Sequence, residues 1–200
     1  MLSVTDLLTL QNLPSESDLT LQTIQEFYEE HLCNRVFVFN LDDEDYPVIK
    51  LRFEKRHLCH LLGIQYVVKG LKKKSIYSGE KGYKQIENGT VTFDFLKKTN
   101  IQWYKSKKKR MLYTPFIYQI VANPTIIEFT PGNLTTRLDV DIIFYNQVDN
   151  TYLHLGLEKD TDSDFYYPKS FFDRKKDDHI EGRRQLTVLT TEIETNVQTT

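Results

Sequence analysis

Residues 138–159 read LDVDIIFYNQVDNTYLHLGLEK. Apolar and polar side chains alternate through both halves, the period of a strand whose successive side chains face opposite ways. Asn150 stands between the halves, where a hairpin needs a turn residue. The same texture begins after Asn123-Pro124 and runs to the end. It gives five strand candidates: Thr125–Phe129, Leu138–Tyr145, Tyr152–Lys159, Phe165–Phe172 and Gln185–Glu194. Strands that follow one another with short links predict an antiparallel sheet.

Upstream the period is helical. Leu19, Leu21, Ile24, Phe27, Tyr28 and Leu32 recur at helix spacing after a cap at Ser17 or Asp18. Val36–Phe39 and Val48–Phe53 flank the acidic turn Asp42–Asp45 and Pro47, which predicts a hairpin. A short helix carries His57, Leu58, His60, Leu61 and Leu62, and Gly63 ends it. Further helices are expected near Tyr83–Glu87, Phe93–Lys98 and Ser106–Val121, the last broken at Pro115. The fold class is therefore α+β: N-terminal helices, then an antiparallel sheet of about four to five strands. The expected organisation is a helical appendage over 1–35, one domain over 36–195, and a frayed tail at 196–200.

The 200 residues are 40% hydrophobic with a net charge of −2, which excludes wholesale disorder. The charge is unevenly spread. Met1 to Glu54 holds eleven acidic and three basic side chains, whereas Lys69 to Arg110 holds thirteen basic and three acidic. The middle segment is thus either a solvated basic face or a surface for an anionic partner. Two cysteines, Cys33 and Cys59, make no disulfide framework. With neither a leader-like start nor an apolar run of spanning length, the expectation is a cytoplasmic protein that needs no membrane.

No G-x-x-x-x-G-K-[ST] and no G-x-S-x-G occurs, so neither a phosphate-cradling loop nor a hydrolase elbow is expected. His57-Leu58-Cys59-His60 invites a zinc reading, but no second ligand pair has suitable spacing. Asp42, Asp43 and Asp45 could suggest a magnesium cluster, but their place in a hairpin turn favours a solvated loop. No metal and no cofactor is expected. The remaining histidines are His31, His154 and His179.

Several patches occur together in a telling order: Lys50-Leu51-Arg52-Phe53; His60-Leu61-Leu62-Gly63-Ile64; Ile86-Glu87-Asn88-Gly89-Thr90-Val91; Lys108-Lys109-Arg110; Tyr152-Leu153-His154-Leu155; Tyr167-Pro168-Lys169-Ser170-Phe171-Phe172; and Gln185 before an apolar strand. Over roughly residues 36–195 they resemble a phage-associated nuclease family of the barnase–EndoU–colicin–RelE fold, found in phages and mobile elements. The resemblance implies helices followed by an antiparallel sheet, and metal-independent cleavage of RNA. His60 matches the family's H-L-x-G-[LI] position, Ser170 the serine of P-x-S-F, and Arg110 a basic helical position. Members often carry a second histidine just after the first motif, where this chain has Ile64-Gln65-Tyr66.

Cleavage without a metal uses the RNA's own 2′-hydroxyl as nucleophile. It needs a base, an acid for the leaving 5′-oxygen, and cations on the phosphate. The resemblance points to His60 as base or acid, Arg110 on the phosphate and Ser170 as a hydrogen-bond donor; Lys169 is a further candidate for the phosphate, and His154 a second proton carrier if its strand face points to the same cleft. Lys72, Lys73, Lys74, Lys84, Lys107, Lys108 and Lys109 would attract phosphates, while Tyr77, Tyr83, Trp103 and Tyr104 could stack unpaired bases. The expected partners are RNA, tRNA among the candidates, and a cognate antitoxin or immunity protein. The competing reading is an inactive nucleic-acid-binding protein, or an inhibitor of a host defence system.

Overall fold

Thr20 starts the first long helix. Its hydroxyl accepts the Thr23 N–H at 2.9 Å, satisfying one of the donors that a helix start leaves unpaired. Helix α1 then runs Leu21–His31. The cap expected at Ser17 or Asp18 belongs to a separate 3₁₀ turn, Glu16–Asp18, where the Asp18 carboxylate accepts the Ser15 N–H at 3.0 Å. The computed structural model describes residues 1–131 and 138–195; the tail expected to fray, 196–200, lies outside them. It divides into two compact units, Met1–Cys33 with Glu54–Phe116, and Asn34–Phe53 with Ile117–Thr200.

The first unit is helical. Leu21, Ile24, Phe27 and Tyr28 line the buried face of α1, at the spacing that puts side chains on one stripe. The Tyr28 hydroxyl donates to the Glu54 carbonyl at 3.0 Å. A 3₁₀ turn, Lys55–His57, leads into α2, Leu58–Leu61. Gly63 ends α2 at φ 75°, a conformation that costs glycine little. Then follow α3, Ile64–Val67, α4, Gly79–Glu87, α5, Phe93–Thr99, and α6, Ile101–Tyr113. Thr92 and Asn100 cap the last two, accepting the N–H groups of Phe95 and Trp103 at 3.1 Å each. The helix expected over Ser106–Val121 is two helices. α6 starts earlier, under its Asn100 cap, and α7, Phe116–Ala122, follows Pro115.

The second unit is a sheet of β1, Arg35–Leu41, β2, Val48–Arg52, β3, Thr125–Glu128, β4, Ile142–Val148, β5, Thr151–Lys159, β6, Phe165–Arg174, β7, Gln185–Leu186, and β8, Val188–Thr195. The order is β7-β3-β4-β5-β6-β2-β1-β8. The expectation of four to five antiparallel strands is corrected twice. The β1–β2 hairpin joins the same sheet, making eight strands, and β2 pairs with β6 in parallel. The strand expected over Leu138–Tyr145 begins at Ile142, and the one over Gln185–Glu194 splits at Thr187. β4 and β5 meet in a two-residue turn in which Asp149 and Asn150 have φ of 49° and 55°, the geometry that matches strand twist.

The sheet curls until its ends nearly meet. β7 and β8 sit at opposite ends of the strand order with Thr187 alone between them. Four strand spacings separate β4 from β1, roughly 19 Å along a flat sheet. Yet the rings of Phe39 and Phe144 lie 4.9 Å apart, edge to face. Phe37, Ile49, Leu51, Leu153, Leu155, Leu157 and Phe171 are buried with them.

Candidate functional site

His60 is exposed at the last turn of α2. Its Nδ1 lies 3.0 Å from Nε2 of Gln65 on α3. The sharp turn at Gly63 makes this possible, since it brings the start of α3 back beside the end of α2. The helix end is clamped from α6. Arg110 Nε donates to the Leu61 carbonyl at 2.5 Å and Nη2 to the His60 carbonyl at 2.6 Å. The His60 carbonyl also accepts the Gly63 N–H at 3.0 Å, and a cation at a helix C-terminus opposes the helix dipole. Arg110 is only 8% exposed. Its planar fork is bound to these two carbonyls at the end of α2, where a phosphate contact was expected of it.

Beside His60 the surface is aromatic and cationic. Tyr66 and Trp103 stack at 5.8 Å with 24° between their planes. Lys107 Nζ sits 4.6 Å from the Tyr66 ring centre, within cation–π range. Gln65 also lines a hollow of about 320 Å³ with Val68, Lys69, Lys74, Ser75 and Ser78. Lys72, Lys73, Lys74, Lys84 and Lys109 are exposed, and Lys107 and Lys108 half-buried. Lys108 pairs with Glu16 at 3.6 Å. Of the other aromatics expected to stack bases, Tyr83 and Tyr104 are core residues. The Tyr83 hydroxyl donates to Glu29 at 2.6 Å, and Tyr77 packs on Phe95 at 5.3 Å.

The remaining candidates belong to the sheet unit. Lys169 is an extra residue in β6, a bulge between the pairs Gly156–Ser170 and Leu157–Pro168. It therefore does not simply share a face with Phe171, as strict alternation requires. Its ammonium binds Glu158 at 2.7 Å and Asp139 at 3.0 Å, and Tyr167 donates to the same Glu158. Two carboxylates offset the charge expected to meet a phosphate. Ser170 is half-buried in the centre of the sheet.

His154 is fully buried. Phe172 stacks on it at 4.6 Å, and His179 meets it edge-on at 5.7 Å. Its ring nitrogens have no hydrogen-bond partner of good geometry among the described residues. Burial first, then the nearby His179, pushes its pKa down to about 4, with the Phe172 and Tyr152 backbone acting weakly the other way. His154 thus lies in the core of the sheet unit, with its charged form disfavoured.

The motifs read for metals also resolve. Cys59 is buried and its thiol pushed up to about 12 by desolvation. Asp43 and Asp45 bind Arg184 at 2.5 and 2.9 Å. Among the described residues no three His, Cys, Asp or Glu side chains are grouped to hold a metal ion. Nor is any helix among them long and apolar enough to cross a membrane. Gln65 and Tyr66 were missed by sequence reasoning, which registered that stretch only as a missing histidine.

A family model described as phage-Barnase-EndoU-ColicinE5/D-RelE like nuclease 4, PBECR4, matches residues 20–198. The chain belongs to this family. The matched span includes α1, the clamped His60 turn and every strand. No curated protein and no solved structure matches the chain. Membership makes nuclease chemistry the functional class, and the PBECR4 match covers His60 and Ser170 alike.

Proposed function

We propose that this PBECR4 chain is a metal-independent endoribonuclease in which His60 carries the proton. The observation behind this reading is the way His60 is held: exposed, its ring fixed by Gln65 and its backbone by Arg110. In the reaction the 2′-hydroxyl loses its proton and its oxygen attacks phosphorus. The bond to the 5′-oxygen then breaks, and that oxygen takes up a proton. A 2′,3′-cyclic phosphate and a 5′-hydroxyl result. With the Gln65 amide N–H on Nδ1, a neutral His60 keeps its proton on Nε2 and can only donate a hydrogen bond there; the acid that serves the 5′-oxygen is the protonated ring, which needs the amide oxygen on Nδ1–H. With the amide turned over, Nδ1 is the donor and Nε2 has the free pair of a base. The lysines supply sequence-independent attraction to RNA. Ser170 remains a candidate hydrogen-bond donor to a phosphate oxygen and Lys169 a candidate cation, each to be tested by itself. A toxin-like role on tRNA or another structured RNA, with an antitoxin or immunity protein as partner, accords with this chemistry.

One observation favours a second reading. Arg110 and Lys169, the two expected phosphate cations, are bound to protein groups. A nucleic-acid-binding protein without catalysis would tolerate that. Incubating total bacterial RNA with the protein in EDTA separates the two. Cleavage is expected to persist in EDTA and to fall by about 100-fold or more in His60→Ala, the scale of a lost general acid or base. Ser170→Ala tests the phosphate donor. RNA left intact by the wild type would leave the binding reading standing.

A further inference from the structure

Tyr66 and Trp103 are 38% and 41% exposed, while most large apolar side chains of their unit are buried. They are not scattered surface residues. Their rings stack on each other, and Lys107 Nζ lies 4.6 Å from one ring centre and 6.0 Å from the other. An open aromatic face with a cation at its rim complements the two parts of a nucleotide, a flat base and an anionic phosphate. The preceding residue, Gln65, opens onto the hollow that Lys69, Lys74, Ser75 and Ser78 rim with ammonium and hydroxyl groups.

We propose that this face is a binding subsite for one unpaired nucleotide of a single-stranded RNA. The base lies on the Tyr66–Trp103 pair, with its neighbouring phosphates on Lys107 and on the Lys69–Lys74 rim. A base inside a duplex is already stacked on both faces and is excluded, so the substrate class is RNA with unpaired loops or ends. The inference rests on the reading of His60 as the RNA-cleaving residue, because it sets the strand beside that ring.

Trp103 is the chain's one tryptophan, so its fluorescence reports on this surface alone. The probe is a short single-stranded 2′-O-methyl oligoribonucleotide, which lacks the nucleophile and cannot be cleaved, alongside the same strand annealed to its complement. The single strand is expected to quench Trp103 and to bind more tightly than the duplex. By anisotropy of the end-labelled strand, Tyr66→Ala is expected to weaken binding roughly tenfold, the scale of one lost base–aromatic stack, and Tyr66→Phe to restore it. Lys107→Gln is expected to flatten the salt dependence by about one phosphate contact. Unchanged Trp103 fluorescence, equal affinity for duplex and single strand, or wild-type binding by Tyr66→Ala would each overturn the subsite. Because the probe is inert, the two proposals fail separately. Lost binding with RNA cleavage intact removes the subsite alone. Quenching by the single strand with no RNA cleaved upholds the subsite and sinks the ribonuclease.

Discussion

Arg110 is a case where residue type and residue role part company. A basic residue at a helix position suggests a phosphate ligand, yet the guanidinium is turned onto the His60 and Leu61 carbonyls. Arg110→Met should therefore cost about 3 kcal/mol in urea unfolding, since two charge-assisted bonds vanish and the Leu61 carbonyl loses the buried donor that Arg110 gives it. A phosphate-binding Arg110 would instead leave the urea midpoint almost unmoved and weaken RNA binding. His154 gives a second test. Its folded pKa of about 4 lies below its ordinary 6.5, so the unfolded chain binds the proton first. This contribution is whole above pH 6.5 and is lost as pH falls from there to about 4, amounting to roughly 3 kcal/mol. The groups felt by His154 are His179 and Arg174, with Asp178 paired to His179 at 2.9 Å. His154→Phe should flatten the urea midpoint between pH 6.5 and 4, and an unchanged slope would place the pH dependence elsewhere. At this scale the sequence was legible in local turns, as H-L-L-G gave the helix end at Gly63 beside which His60 sits exposed. It was silent on Gln65, because its value to His60 comes from a turn geometry that no local pattern encodes.

Between elements, the closest approach is at Gly82 of α4. A Cβ there would lie 2.5 Å from the Tyr77 carbonyl oxygen and 2.7 Å from the Cys59 sulfur. Backbone cannot swing aside as a side-chain tip can, so Gly82→Ala should cost about 3 kcal/mol. Gly70 has nothing within 4 Å of its Cβ position; Gly70→Ala should stay within about 0.5 kcal/mol. Equal urea midpoints for the two variants would show that α4 can shift freely. The elements themselves were readable where their cause is local. The β4–β5 hairpin follows from alternation and a turn at Asp149-Asn150. The split of β7 from β8 was hidden because the alternation runs straight through Thr187. What divides them is pairing, one with β3 and the other with β1, both far away in sequence. The parallel β2–β6 contact was hidden for the same reason. The Lys169 bulge follows Pro168, which has no N–H to give a ladder. Proline within a sheet is confined to edges, strand starts or bulges, and Pro168 takes the last of these, in mid-sheet.

Across the whole molecule, the chain passes between its two units three times, after Cys33, Phe53 and Phe116. Every basic residue of the Lys69–Arg110 run falls in the helical unit, while the acidic turn Asp42–Asp45 falls in the sheet unit. The charge asymmetry visible in the sequence is only partly kept by the units, because seven of the eleven acidic residues between Met1 and Glu54 fall in the helical unit with the basic run. Sequence texture set residues 1–35 apart as an appendage, because the first helix precedes the first strand. Contacts place residues 1–33 with 54–116. The consequence is measurable. Leu7, Leu19, Leu21, Ile24 and Phe27 are each at most 2% exposed. Five such side chains contribute roughly 8–15 kcal/mol at about 1.5–3 kcal/mol each, comparable to the roughly 5–15 kcal/mol that holds a whole domain folded. Deleting 1–35 also removes Tyr28, which donates to the Glu54 carbonyl. The 36–200 fragment should therefore show no cooperative urea transition by circular dichroism and no RNA cleavage. A fragment that unfolds cooperatively at the full-length midpoint would mark 1–35 as a separable appendage, and the His60 turn would then have to be held by α6 without α1.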